Sequence, residues 1–165
     1  RDTVVHSTAK PINTSLPPRD IRSMLNLPPV RGNFPCGHCS LCPLTIRTKE
    51  MDLGVRTPWV LANFTNCESC NVVYTFTCPC NLRYVGMTTR KIRIWLNEHR
   101  STFRCKKSNT KLMRHYLDKG HTENDLKWGI IEQINTSTPN VVDKLLFYEQ
   151  CWIDRLKISC QDLND

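Results

Sequence analysis

The chain has 165 residues, room for one domain of ordinary size plus appendages but not for two full cores. Its 23 lysines and arginines stand against 15 aspartates and glutamates, and the net charge of +8 suits a polyanion, nucleic acid ahead of an acidic membrane surface. No run approaches the roughly 18 apolar residues that a membrane span needs, and a merely solvated basic surface is the bland alternative for the charge. The chain opens on arginine with no leader-like segment, and the expectation is a fragment of a longer protein.

Residues 1–35 hold Pro11, Pro17, Pro18, Pro28, Pro29 and Pro35 with little hydrophobic periodicity, which predicts an extended linker, with a short helix at Asp20 to Leu27 as an option. Residues 36–70 read as a cysteine-rich knuckle interrupted by the stretch from Ile46 to Asn66. From residue 71 to 165 strand and helix signals alternate, as in a compact α+β domain. Val72 to Thr77 and Leu82 to Val85 predict a hairpin about a Cys-Pro-Cys-Asn turn. Lys91 to Phe103 predicts a helix, and Ser108 can cap a second that runs to about Lys119 and stops at Gly120. Leu126 to Ile134 predicts a third strand. Pro139 at a first helical position, after Ser137 and Thr138, starts a last helix reaching Lys157.

The ten cysteines fall mostly in tight groups: Cys36-x2-Cys39-x2-Cys42, Cys67-x2-Cys70 and Cys78-x-Cys80, with His115-x5-His121 downstream. Cysteines so close rarely pair with each other, whereas turns that converge thiolates and imidazoles suit a tetrahedral metal. The spacing therefore favours zinc in a reducing compartment over disulfides, and Cys105, Cys151 and Cys160 are spares. The first group needs a fourth ligand, from Cys67 or Cys70. Bringing Cys78 and Cys80 to His115 and His121 would tie the hairpin turn to the end of the second helix. Arg31, Arg47, Lys49 and Arg56 surround the first group, which either grips nucleic acid or simply clips a segment too small to fold alone.

On the last helix Val142, Leu145, Leu146, Trp152, Ile153 and Leu156 form an apolar stripe, and Glu149 falls in its middle. A carboxylate there needs a metal ion, a basic side chain or a water-filled cleft; a hydrogen bond to a tyrosine or arginine is the structural alternative. Tyr74 and Tyr84 lie on neighbouring strands, where two tyrosines alone would mean cross-strand packing. His99, alone on its helix, would by itself be structural.

In combination, Val72-Val73-Tyr74, Tyr84-Val85-Gly86, the helix ending in Glu98-His99 and the distant Glu149 resemble the GIY-YIG nuclease superfamily. The cysteine and histidine pairs resemble, more narrowly, the endonuclease region of Penelope-like retroelements, over roughly residues 36–165; residues 1–7 are similar to the end of their reverse transcriptase and linker. The resemblance implies a small three-stranded antiparallel sheet flanked by helices, with two structural zinc sites built from Cys36, Cys39, Cys42 and Cys67, and from Cys78, Cys80, His115 and His121. It implies that Glu149 holds a catalytic Mg²⁺ or Mn²⁺, that Tyr74 helps activate water, that Tyr84 orients the phosphate and that His99 moves a proton or holds a phosphate. Asp162-Leu163-Asn164 resembles the terminal motif, which assigns Asn164 to the metal or the nucleotide. Trp95 stands where the family carries an arginine one turn before the histidine. Arg93 is nearest, yet two residues along a helix is about 200° round, and Arg90 and Arg100 are no better placed; either a local distortion recruits Arg93 to the catalytic group or this copy cuts poorly, and poor cutting is the expectation. Arg90, Lys91, Arg104, Lys106 and Lys107 would track the DNA backbone. The implied partners are target DNA, the element's RNA and the polymerase of the same polypeptide, in the nucleus. A binding module that positions nucleic acid without cutting it is the alternative, and a zinc-held interaction domain is the other.

Overall fold

The computed structural model describes residues 25, 29–54, 56–105, 110–158 and 162–164. The expected helix at Asp20 to Leu27, Lys106, Lys107, Ser108 and Cys160 lie outside the described residues, apart from Leu25. The fold is α+β. Four two-residue strands come first: β1 (Gly32–Asn33), β2 (Glu50–Met51), β3 (Trp59–Val60) and β4 (Phe64–Thr65), with a 3₁₀ turn at Cys42–Leu44. Then come β5 (Val72–Thr77), β6 (Arg83–Thr88), α1 (Ile92–Cys105), α2 (Lys111–Asp118), β7 (Lys127–Gln133) and α3 (Val141–Ile158). The main sheet is antiparallel in the order β6-β5-β7, while β1 pairs with β4 in parallel and β2 with β3 antiparallel.

The alternation along β5 sorts the core into two layers. Val72, Tyr74 and Phe76 face one cluster with Ile92 and Leu96 of α1, Leu112 and Tyr116 of α2, and Leu41, Leu44 and Cys67 of the knuckle. Val73 faces the other, with Val85, Ile131 and Leu145, Trp152 and Leu156 of α3. The knuckle thus contributes Leu41, Leu44 and Cys67 to the sheet's core. The interrupted stretch from Ile46 to Asn66 makes the small strands β2 to β4, too short to show a period in sequence.

Both edges of the sheet are covered, which removes the unpaired backbone that invites association. Along β7, Ile46 N–H donates to Trp128 O at 2.7 Å and Trp59 Nε1 to Ile131 O at 3.2 Å. Along β6, Leu163 N–H donates to Arg83 O at 2.7 Å. Asn33, fully buried, ties β4 and the Ile46 segment to β7: its Nδ2 donates to Ile46 O at 2.7 Å, and its Oδ1 accepts from Thr65 Oγ1 at 3.2 Å and from Ile130 N–H at 3.4 Å.

Several element ends differ from expectation. The second hairpin strand extends past Gly86 to Thr88. Thr110, not Ser108, caps α2, its hydroxyl accepting from Met113 N–H at 3.3 Å. The last helix starts at Val141 because Asn140 sits at φ 56°, left-handed backbone that a helix cannot include. Val142 and Leu146 are exposed rather than part of the buried stripe, because α3 turns its Leu145, Trp152 and Leu156 line inward, with Ile153 partly buried beside it.

Asn33→Ala should cost about 2–4 kcal/mol in urea unfolding, since it orphans the groups of Ile46, Thr65 and Ile130 that converge on its amide. A cost below about 1 kcal/mol would mean that those partners are rescued by water.

Candidate functional site

The candidate residues come together where β5, β6 and α1 meet. Tyr74 is opposite Gly86 in the register, and Phe76 is opposite Tyr84. A side chain on Gly86 would place its Cβ 2.5 Å from the Tyr74 hydroxyl, so only glycine lets that phenol cross β6. The hydroxyl is 3.3 Å from His99 Nε2 and accepts a hydrogen bond from Trp95 Nε1. His99 lies edge-on to Trp95 with 4.9 Å between ring centroids, while Tyr84 stacks on Phe76 at 5.8 Å. A cavity of about 220 Å³ opens beside Tyr84 and His99, walled by Phe103, Thr102 and Thr110.

Glu149 approaches from α3, which packs chiefly on β6. It is half-buried within the Leu145–Trp152–Leu156 line, and Met87 N–H donates to its carboxylate. Burial raises its pKa above the ordinary carboxylate value, and the Met87 hydrogen bond offsets this only in part. Tyr74 has its pKa pushed well up by burial, then by Tyr84 and, further down, by the Glu149 charge, which marks the two as electrostatic neighbours. His99 is held below its ordinary value by burial, against a smaller opposing pull from Glu98. Burial thus favours the protonated phenol and the neutral imidazole and opposes ionisation of Glu149.

Two expected site residues are placed elsewhere. Arg93 is held by Glu68, with Nε 2.6 Å from Oε1, on the side of α1 that meets the knuckle. Asn164 spends its amide on the backbone of Val85, accepting from N–H at 3.0 Å and donating to O at 2.6 Å. Both functions of that amide extend the sheet edge. Lys91 pairs with Glu68 at 3.0 Å and Arg104 with Glu123 at 3.2 Å. Arg90 departs from expectation in the other direction: its guanidinium carbon lies 5.1 Å from the Trp95 ring centroid, beside the site. A loop residue that reaches back over a helix leaves no spacing signal in the sequence.

The metal-ligand groups assemble as two clusters that could hold zinc. In the first, Cys42 Sγ is 3.6 Å from both Cys36 and Cys39 and 4.0 Å from Cys67. A tetrahedral zinc with sulfur at about 2.3 Å requires edges of about 3.8 Å, and a disulfide would require about 2.05 Å. Cys67 is the fourth member; Cys70 stays outside, its carbonyl accepting from Gln133 Nε2 at 3.3 Å. Burial works against the Cys42 thiolate, but backbone N–H donors outweigh it and bring its pKa to about 6. In the second cluster Cys78 Sγ is 3.3 Å from His115 Nε2, and Cys80 Sγ is 3.1 Å from His121 Nε2.

Comparison of the chain with protein-family models, curated proteins and solved structures finds no match.

Native mass spectrometry should find two zinc ions per chain, with one lost in Cys42→Ser and one in His115→Ala. Retention of both in either variant would remove that cluster as a site. A pH series should show stability falling as pH drops from about 6.5, because the unfolded His99 gains a proton before the folded one. His99→Gln should flatten that part of the curve, and an unchanged acid slope would contradict the assignment.

Proposed function

We propose that the chain is the endonuclease region of a Penelope-like retroelement, of GIY-YIG type, nicking target DNA with Mg²⁺ or Mn²⁺ so that the freed 3′ hydroxyl primes reverse transcription. The observation that carries the reading is the contact of Tyr74 with His99 beside Gly86, with Glu149 held on the N–H of the adjoining Met87, from three elements far apart in sequence. A half-buried carboxylate with one N–H donor has capacity left for a cation. A divalent ion there would neutralise the carboxylate and polarise the scissile phosphate.

In this reading the neutral His99 accepts a proton, directly or through Tyr74, whose raised pKa makes it a proton-bearing bridge and not a phenolate base. Tyr84 and the adjoining cavity seat the nucleotide beside the cleaved bond. The cationic surface, +8 overall, attracts DNA, RNA of the element and the polymerase's template complex alike, which fits work in the nucleus.

The second reading, a module that binds nucleic acid without cutting it, is favoured by one feature. Tyr74 is sealed, fully buried under Trp95 and His99.

Nicking of supercoiled plasmid with Mn²⁺ tests the choice: Glu149→Ala should lower the rate by about 10³ or more while plasmid binding stays within a few-fold. No nicking by the native chain at full zinc content would leave the binding module. A second outcome follows from the raised pKa, because the ionised Glu149 costs stability that is relieved as pH falls through its folded value. At neutral pH without Mg²⁺ or Mn²⁺, Glu149→Gln should melt about 2–5 °C higher than the native chain. Added Mn²⁺ should then raise the melting temperature of the native chain alone, and equal shifts in both would place the ion elsewhere.

A further inference from the structure

The site has its own candidate cation, and it is not on the face of the helix where the family's arginine stands. Arg90 sits in the turn between β6 and α1, where its backbone N–H donates to Thr88 Oγ1 at 3.1 Å. Its guanidinium lies over the face of Trp95, 5.1 Å from the ring centroid. The same indole is fixed on its other function, since its Nε1 donates to Tyr74. Both terminal nitrogens of Arg90 are occupied by Glu98, at 2.8 and 2.7 Å. This is the fork-on-fork geometry in which a guanidinium binds either a carboxylate or a phosphate.

The neighbouring cations are committed away from the indole. Arg93 and Lys91 share Glu68, and Arg100 and Arg104 share Glu123. Arg90 and Glu98 are about half exposed, at 48% and 51%, so their pairing is weak in water and easily exchanged for a ligand of greater charge. Stacking on Trp95 would hold the guanidinium in place while the exchange occurs.

We propose that Arg90, carried on the face of Trp95, is the phosphate clamp of this site, taking two oxygens of a DNA phosphodiester where the Glu98 carboxylate sits in the free protein. The inference rests on the nuclease reading for its chemistry, though the clamp itself is a binding contact. Trp95 then supports a displaced arginine instead of abolishing the charge, and Glu98 is the internal competitor that the phosphate must displace. Proximity to Tyr74 and His99 places the clamped phosphate at the reacting groups.

The test combines duplex-DNA binding over a salt series with Mn²⁺-dependent plasmid nicking, on the full chain with both zinc sites filled. Arg90→Lys keeps the charge and loses the fork, and it should weaken binding roughly threefold to tenfold. Arg90→Ala should also lower the slope of log affinity against log salt by about one. Glu98→Gln should tighten binding by more than Asp154→Asn, which makes the same charge change on the exposed side of α3. Native-like binding by Arg90→Lys, or equal gains from Glu98→Gln and Asp154→Asn, overturns the clamp and leaves a surface ion pair. Nicking by Arg90→Ala at the native rate also overturns it while the nuclease reading stands. If no protein nicks but the binding shifts are as expected, the clamp stands and the nuclease reading falls.

Discussion

The arrangement depends on how the start of α1 is held. The first N–H groups of a helix have no partner within it, and the exposed dipole end favours negative charge. α1 supplies neither: its first turn has no acidic residue, and Lys91 and Arg93 bring positive charge to the wrong end. The knuckle makes good the deficit. Cys67 O accepts from Arg93 N–H at 3.1 Å, Ser69 O accepts from Ile92 N–H at 2.8 Å, and Glu68 pairs with both cations. Cys67 is also a member of the four-cysteine cluster, so a metal held there fixes the residue that caps the helix bearing Trp95 and His99. The second cluster acts at the opposite end of the hairpin, bracing Cys78 and Cys80 between the strands of Tyr74 and Tyr84. Two ions would thus hold both ends of a sheet too small to be rigid by burial alone.

The parts legible in sequence are those with local periodicity or ligand spacing. The alternation of Val72 to Thr77 and the helix read over Lys91 to Phe103 fall within a residue or two of the observed elements, and the eight cluster residues assemble as grouped. Glu149 stood out because a charge within an apolar line must be explained, and the structure keeps it there beside Leu145, Trp152 and Leu156. What was not legible is tertiary. Asn33 looks like any loop asparagine until Ile46, Thr65 and Ile130 converge on it. Arg90 is separated from Trp95 by a turn, and helical geometry says nothing of a side chain that enters from outside the helix. Asn164 fits a terminal motif by its letters alone; its amide is drawn to Val85 because the edge of β6 leaves backbone groups to satisfy.

The candidate site also carries local costs that the rest of the fold must bear. Burial opposes ionisation of Glu149 and Tyr74 and protonation of His99. A carboxylate kept ionised against desolvation is a poor stabiliser and a good cation ligand, and the two properties have one cause. Gly86 adds a backbone cost, since a residue without a side chain in mid-strand gives up packing and chain entropy. Its return is the passage of the Tyr74 ring across β6, which no residue with a Cβ would allow.

Trp95 reconciles these costs with a cationic ligand-binding surface. An arginine at that position would bring its charge directly against a buried phenol and imidazole, where desolvation is severe. The indole instead donates a neutral hydrogen bond to Tyr74 and offers its face outward. The charge beside the indole is that of Arg90 at the water boundary, where it pairs with Glu98. In the proposed clamp two tasks are separate, organising the buried hydroxyl and binding the anion, one on an aromatic of the helix and the other on a cation of the loop before it. Such a division lowers the electrostatic cost of the unliganded site and makes occupancy of the cation depend on competition with an internal carboxylate. A site built this way favours ligands that present two oxygens to one guanidinium, and it discriminates against single-point anions by geometry as much as by charge.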